Sequence, residues 1–138
     1  MREIRYRARA LADGKWRILT FNNSMLDALK ISSDYDEEEF LDMNTLGEST
    51  GKYDISGKEI FEGDIIESHL GGKILADNMV VRYGTYQAHC PVDRQDMDSV
   101  GFYIAASGLP DMPVGPMEDY AKVIGNIHEN PDLLNPLN

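Results

Sequence analysis

From about residue 58 onward, short runs rich in branched and aromatic residues recur at short intervals: "KEIFE", "IIESHL", "NMVVRYGTYQAHC", "VGFYIAAS" and "YAKVIGNI". Tight bends separate several of them, at Gly63-Asp64 and Gly71-Gly72. No helical pattern of about 10–15 residues intervenes, which sets βαβ units aside, because a parallel crossover needs a dozen or more residues. Strands so closely spaced pair antiparallel, and the pattern predicts a small barrel. "PVDRQDMDS" reads as a polar loop. "GLPDMPVGPMED" holds three prolines, which cannot donate ladder hydrogen bonds, and also reads as a loop. Near the end, Asn130 as N-cap and Pro131 at a first helical position predict a short helical turn.

"TGKYDISGKEIFEGDII", residues 50–66, contains both turn chemistry and core. Asp54-Ile55-Ser56-Gly57 is a turn signal, since an Asp carboxylate accepts from N–H groups a few residues on. Asp64 is expected to cap, and Ile60, Ile65 and Ile66 are expected in the core.

Residues 1–49 form a different region. Ile4, Tyr6, Ala8 and Ala10 alternate with Arg5, Arg7 and Arg9, the period of a half-buried strand with one apolar and one basic face. "ADGK" supplies a hairpin turn, and Trp16 and Ile18 belong to the return strand. "NNSMLDALKIS" reads as a short helix with Ser24 and Asp27 as a capping box. "SSDYDEEEFLDMN" reads as a solvated acidic loop or a second short helix, and as the most mobile part of the chain. The expected layout is therefore residues 1–49 as a hairpin with short helices, and residues 50–138 as an SH3-like barrel ending in a helical turn.

Charge narrows the partners. The 138 residues carry a net −11, unevenly placed. Residues 1–17 hold six basic and two acidic groups, so the remainder is −15. Sequence-independent DNA affinity comes from phosphate neutralisation, so such a surface argues against a general DNA binder. No apolar run reaches the length of a membrane span, and "MREIRYRARA" has no apolar stretch behind its basic residues. The single cysteine, Cys90, excludes an internal disulfide. The simplest setting is a reducing cytoplasm.

Catalytic chemistry is thinly represented. Asp54, Glu59, Glu62 and Asp64 are candidates for a carboxylate pair or divalent-ion site, but turn capping and solvated strand faces account for them as well. His69, His89, Cys90 and His128 are the soft-metal ligands, without CxxC or HExxH spacing. His89 and Cys90 adjoin in a predicted strand, where neighbours point to opposite faces. "HLGGKIL" lacks the phosphate-loop pattern and reads as a hairpin turn. Two features suit a partner surface. Arg5, Arg7 and Arg9 form a row with a spacing of about 6.6 Å on a strand, suited to phosphates or an acidic protein; charges that are solvated or paired with this chain's own acids, such as those at 36–39, are the alternative reading. Tyr83, Tyr86, Phe102 and Tyr103 are candidates for an aromatic platform, with core and cross-strand pairing as the alternative.

With these residues in place, the sequence resembles the YopX family of phage and prophage proteins. "MREIRYRA" is similar to the family's opening. "TGKYDISGKEIFEGDII" is similar to its central motif, with Thr50, Gly51, Asp54, Gly57, Lys58, Glu59, Ile60, Glu62, Gly63, Asp64 and Ile65 in place. "VIGNIHENPDLL" is similar to its C-terminal motif, and "VVRYG" and "GFYI" fall where barrel strands are placed. The resemblance implies a β-rich fold with an SH3-like C-terminal barrel and a phage or prophage origin. It supplies no catalytic residues. The resulting expectation is a non-enzymatic macromolecule-binding module in the bacterial host cytoplasm, without cofactor or metal. A protein partner from host or phage is favoured, and homo-oligomers are open. Nucleic-acid binding through the arginine row is the alternative. A metal-dependent enzyme using Asp or Glu ranks third.

Overall fold

The computed structural model describes residues 4–21, 40–90 and 92–134. The expected helix at 22–32 and the acidic segment up to residue 39 lie outside the described residues. The chain divides into two compact units, Met1–Gly51 and Lys52–Asn138.

The first unit is built on strands β1 (Ile4–Ala10), β2 (Trp16–Phe21) and β3 (Leu41–Tyr53), with β1 between the other two. β1 pairs antiparallel with β2 from Ile4↔Phe21 to Arg9↔Trp16. The Asp-Gly signal closes this hairpin: the Ala10 N–H donates to the Lys15 carbonyl at 2.9 Å, and the Lys15 N–H donates to Asp13 Oδ1 at 2.9 Å. Arg17 adds an ion pair to Asp13 at 3.0 Å. β3 corrects the sequence reading. Residues 41–44 belong to the expected loop or helix, yet they open a 13-residue strand. Pairing with β1 is what settles it, at Ala10↔Leu41, Arg9↔Asp42, Arg7↔Gly47 and Tyr6↔Glu48. The register shifts between Arg7 and Arg9. At that bulge Thr45 Oγ1 takes the Arg9 N–H at 2.8 Å and donates to the Asp42 carbonyl at 2.6 Å. A side chain thus fills the gap left in the ladder.

The second unit contains β4 (Glu59–Phe61) and a five-stranded antiparallel sheet. That sheet comprises β5 (Asp64–Leu70), β6 (Lys73–Cys90), β7 (Gln95–Ala106), β8 (Leu109–Pro113) and β9 (Ala121–Asn126), ordered β8-β7-β6-β5-β9. A 3-10 turn, Met117–Asp119, precedes β9, and another, Pro131–Leu134, follows it. The protein is mainly β, with two antiparallel sheets. The expected barrel closure is not present among the described residues: β8 and β9 stand as open edges.

Two loop readings are also corrected. Gln95–Ser99 continues β7, because each residue finds a partner on β6. Leu109–Pro113 is a strand despite Pro110 and Pro113. β8 is an edge strand, where a missing N–H on the open side leaves no ladder bond unmade. The core of this unit gathers Ile60, Ile66, Met79, Val81, Ile104, Met117 and Ala121. Ile66 lies opposite Met79 and Val81 opposite Ile104, so register puts them on one face. Ile60, Ile65 and Ile66 are all fully buried.

Candidate functional site

The carboxylates of the central motif act as anchors. Asp54 Oδ1 accepts from the N–H groups of Ser56 and Lys58 at 2.9 Å each and from the Ser56 hydroxyl at 2.7 Å. Its other oxygen accepts the Val123 N–H of β9 at 3.0 Å, across 69 residues of sequence. Burial pushes its pKa up. The bonds from Val123, the Ser56 hydroxyl, Lys58 and Ser56 outweigh that, and hold the carboxyl below its ordinary value. Asp64, also buried, accepts the Phe61 N–H at 2.8 Å and so fixes the Glu62-Gly63 bend. Glu59 and Glu62 are part-exposed. Among the described residues no group of three or more His, Cys, Asp or Glu is placed to share a metal ion. His69 sits 2.8 Å from Glu67.

The arginine row has a different setting from the one its alternation suggests. β2 places Trp16 directly opposite Arg9. The Arg7 guanidinium lies over the indole at 4.6 Å, and that of Arg9 at 5.8 Å. Arg7 is only 7% exposed, while Ile4, on the supposed core face, is 40% exposed. The guanidinium groups are therefore laid on an aromatic plane, an arrangement that stabilises a cation and covers it. Asp13, held below its usual pKa by the Lys15 N–H and then by Arg17, adds negative charge at the same hairpin end.

The tyrosines do not form one platform. Tyr83 and Tyr86 are three residues apart on β6, so they project from opposite faces. Tyr83 meets Phe102 edge-on, with centroids 4.9 Å apart and planes at 69°. Tyr86 stacks on Tyr103, with centroids 5.0 Å apart and planes at 21°. The first pair extends the core face outward, and Tyr83 is half exposed. Tyr120, by contrast, is a half-buried phenol that donates to the Val114 carbonyl, and its partial burial pushes its pKa up to about 12.

A feature that sequence alone did not single out is the far end of the β6–β7 hairpin. β5 pairs with β6 only as far as Val80, and β8 pairs with β7 only from Tyr103. Beyond them seven pairs, from Gly84↔Gly101 to Cys90↔Gln95, form a two-stranded arm. Its length is about 24 Å at about 3.4 Å per residue. Gly84 and Gly101 face each other at its base with φ of 152° and 153°, a backbone that side-chain-bearing residues rarely adopt. Val100 and Met97 on β7 are 73% and 54% exposed. The signal available in the sequence was the length of the unbroken β run before "PVDR", longer than its neighbours in the sheet.

Hollows mark both units. One, of about 420 Å³, lies in the first unit among Ile4, Tyr6, Leu19, Met43 and Leu46. The other, of about 460 Å³, lies in the second unit, lined by Asn78, Val80, Arg82, Ala105, Leu109 and Leu134 among others. No helix among the described residues is long and apolar enough to cross a membrane.

No curated protein is significantly similar to this sequence. A family model, described as YopX protein, matches residues 12–135. That span takes in most of both units, and the chain belongs to the YopX family.

Proposed function

We propose that this chain is a non-enzymatic protein-binding module of phage or prophage origin, working in the bacterial cytoplasm. The observation that carries the reading is the exposure of large apolar side chains on regular strands. Val100, Met97 and Tyr83 all stand on the β6–β7 hairpin. Large apolar side chains held out on both faces of ordered strands are costly in water and mark surface with a partner. Charge favours protein over nucleic acid, since residues 52–138 carry fourteen acidic and six basic side chains. Nucleic-acid binding through Arg5, Arg7 and Arg9 is the weaker reading, because Arg7 is buried against Trp16. We read the second unit as SH3-like. Its support is the chain order: a meander β5–β6–β7–β8, a 3-10 turn, and a last strand returning beside the first.

The test is capture of host proteins by the tagged chain, with and without nuclease, followed by rebinding of the purified partner. Stoichiometric capture that survives nuclease is the expected result. Partners that vanish with nuclease would move the arginine row to the front.

A further inference from the structure

We infer that the open edge of β7 in the arm, Gln95–Val100, is a docking strand for an extended segment of another protein that alternates basic and apolar residues. The inference rests on the protein-binding reading and specifies its surface and partner chemistry.

Three observations converge on that edge. First, the arm lacks a third strand among the described residues. A lone two-stranded ribbon is at best marginally stable in water, and its outer edge presents a row of backbone donors and acceptors. Second, the edge has a charge pattern. Asp96, Asp98 and Val100 lie opposite His89, Gln87 and Thr85, so they share one face at alternate positions. Residues 84–101 hold Asp93, Asp96 and Asp98 against the single Arg94. Third, the other face of the edge offers Met97, 54% exposed, and Val100 continues the apolar line of Tyr83 and Phe102 on the first face.

An added strand would meet these features in order. Its N–H and C=O groups would complete the ladder, as in strand addition to a sheet edge. Lys or Arg at every second position would face Asp96 and Asp98, and their aliphatic stems would cover Val100. Apolar residues between them would cover Met97. A second copy fits worse, because pairing two β7 edges would bring the aspartates of both arms together.

The experiment uses the full chain and a labelled, end-blocked octapeptide of alternating Lys and Val, read by fluorescence anisotropy. Saturable, salt-weakened binding is expected. Methylating alternate backbone nitrogens of the peptide should weaken it by about tenfold or more, since strand pairing needs those N–H groups. The Asp96→Lys/Asp98→Lys double variant should lose about tenfold for this peptide and gain affinity for an alternating Glu-Val peptide. Circular dichroism checks that the exposed substitutions leave the fold intact. Equal binding of the N-methylated peptide would overturn strand addition, and indifference to charge reversal would overturn the edge as its site. Absence of binding at millimolar peptide, or dimerisation of the free chain through the arm, would also overturn it. Lysate capture that persists with the double variant would leave the protein-binding reading standing and remove only the arm.

Discussion

The central motif and the β6–β7 arm use the same materials and reach opposite ends. Both are β strands that carry glycines and acidic side chains. In the motif, Asp54 and Asp64 are buried and hold backbone N–H groups, and Ile60, Ile65 and Ile66 are fully enclosed. In the arm, Asp96 and Asp98 are exposed on the outer strand, and Val100 is 73% exposed. Both carry acids, and what separates them is how many neighbours each strand has. β5 is paired on both sides, to β6 and β9, whereas the arm strands have only each other. Stability and availability for binding separate along one continuous sheet.

That contrast can be broken or sharpened by matched substitutions. The largest expected effect is Ile66→Ala, which leaves a cavity among Met79 and Val81; it should cost about 2–5 kcal/mol in denaturant unfolding. Val100→Ala, the same kind of deletion on the arm, should stay within about 0.5 kcal/mol. Next comes Asp54→Ala. It strands the N–H groups of Lys58 and Val123, and should cost about 2–4 kcal/mol. Asp98→Ala on the arm removes only an exposed bond with Gln87 and should cost less than about 0.5 kcal/mol.

Gly125→Ala tests the packing beside β5. A Cβ there would lie 2.5 Å from Asn130 Oδ1 and 3.1 Å from Asn130 Cβ. Asn130 is itself held, with its Oδ1 accepting the Asn126 N–H at 3.2 Å, so overpacking should cost about 1–3 kcal/mol in melting or denaturant curves. The smallest effect is in pH. The Asp54 carboxyl is held below its ordinary value, so it binds its proton less readily folded than unfolded. Its contribution is full above the ordinary carboxylate pKa and is lost as pH falls through the depressed one. Acid titration of stability should therefore lose part of its slope in Asp54→Asn, and change little in Asp98→Asn.

Much of the framework was legible. The Asp13-Gly14 hairpin and the Asp54 turn follow from local chemistry, in which a side chain satisfies backbone groups two to four residues away. The burial of Ile60, Ile65 and Ile66 follows from their place in a motif bounded by turns. Long-range pairing was harder to read. Leu41–Leu46 carries polar residues, and only its partners on β1 make it a strand. Pro110 and Pro113 suggested a loop because a proline's cost depends on whether its strand is central or at an edge, which sequence does not state. At the candidate site, alternation predicted the arginine row but not the indole lying across it, which is set by the cross-strand register Arg9↔Trp16. Tyr83, Tyr86, Phe102 and Tyr103 suggest one platform, while the period of two sends Tyr83 and Tyr86 to opposite faces, each in a cross-strand pair.

Native-state hydrogen exchange on the free chain tests the contrast most directly. Amides of β5 and of Met79–Val81 should be protected up to the global unfolding free energy, and those of Gln95–Val100 should exchange through local opening, faster by orders of magnitude. Equal protection in the two regions would mean that the arm is already covered, by this chain or by a second copy, and would contradict the account.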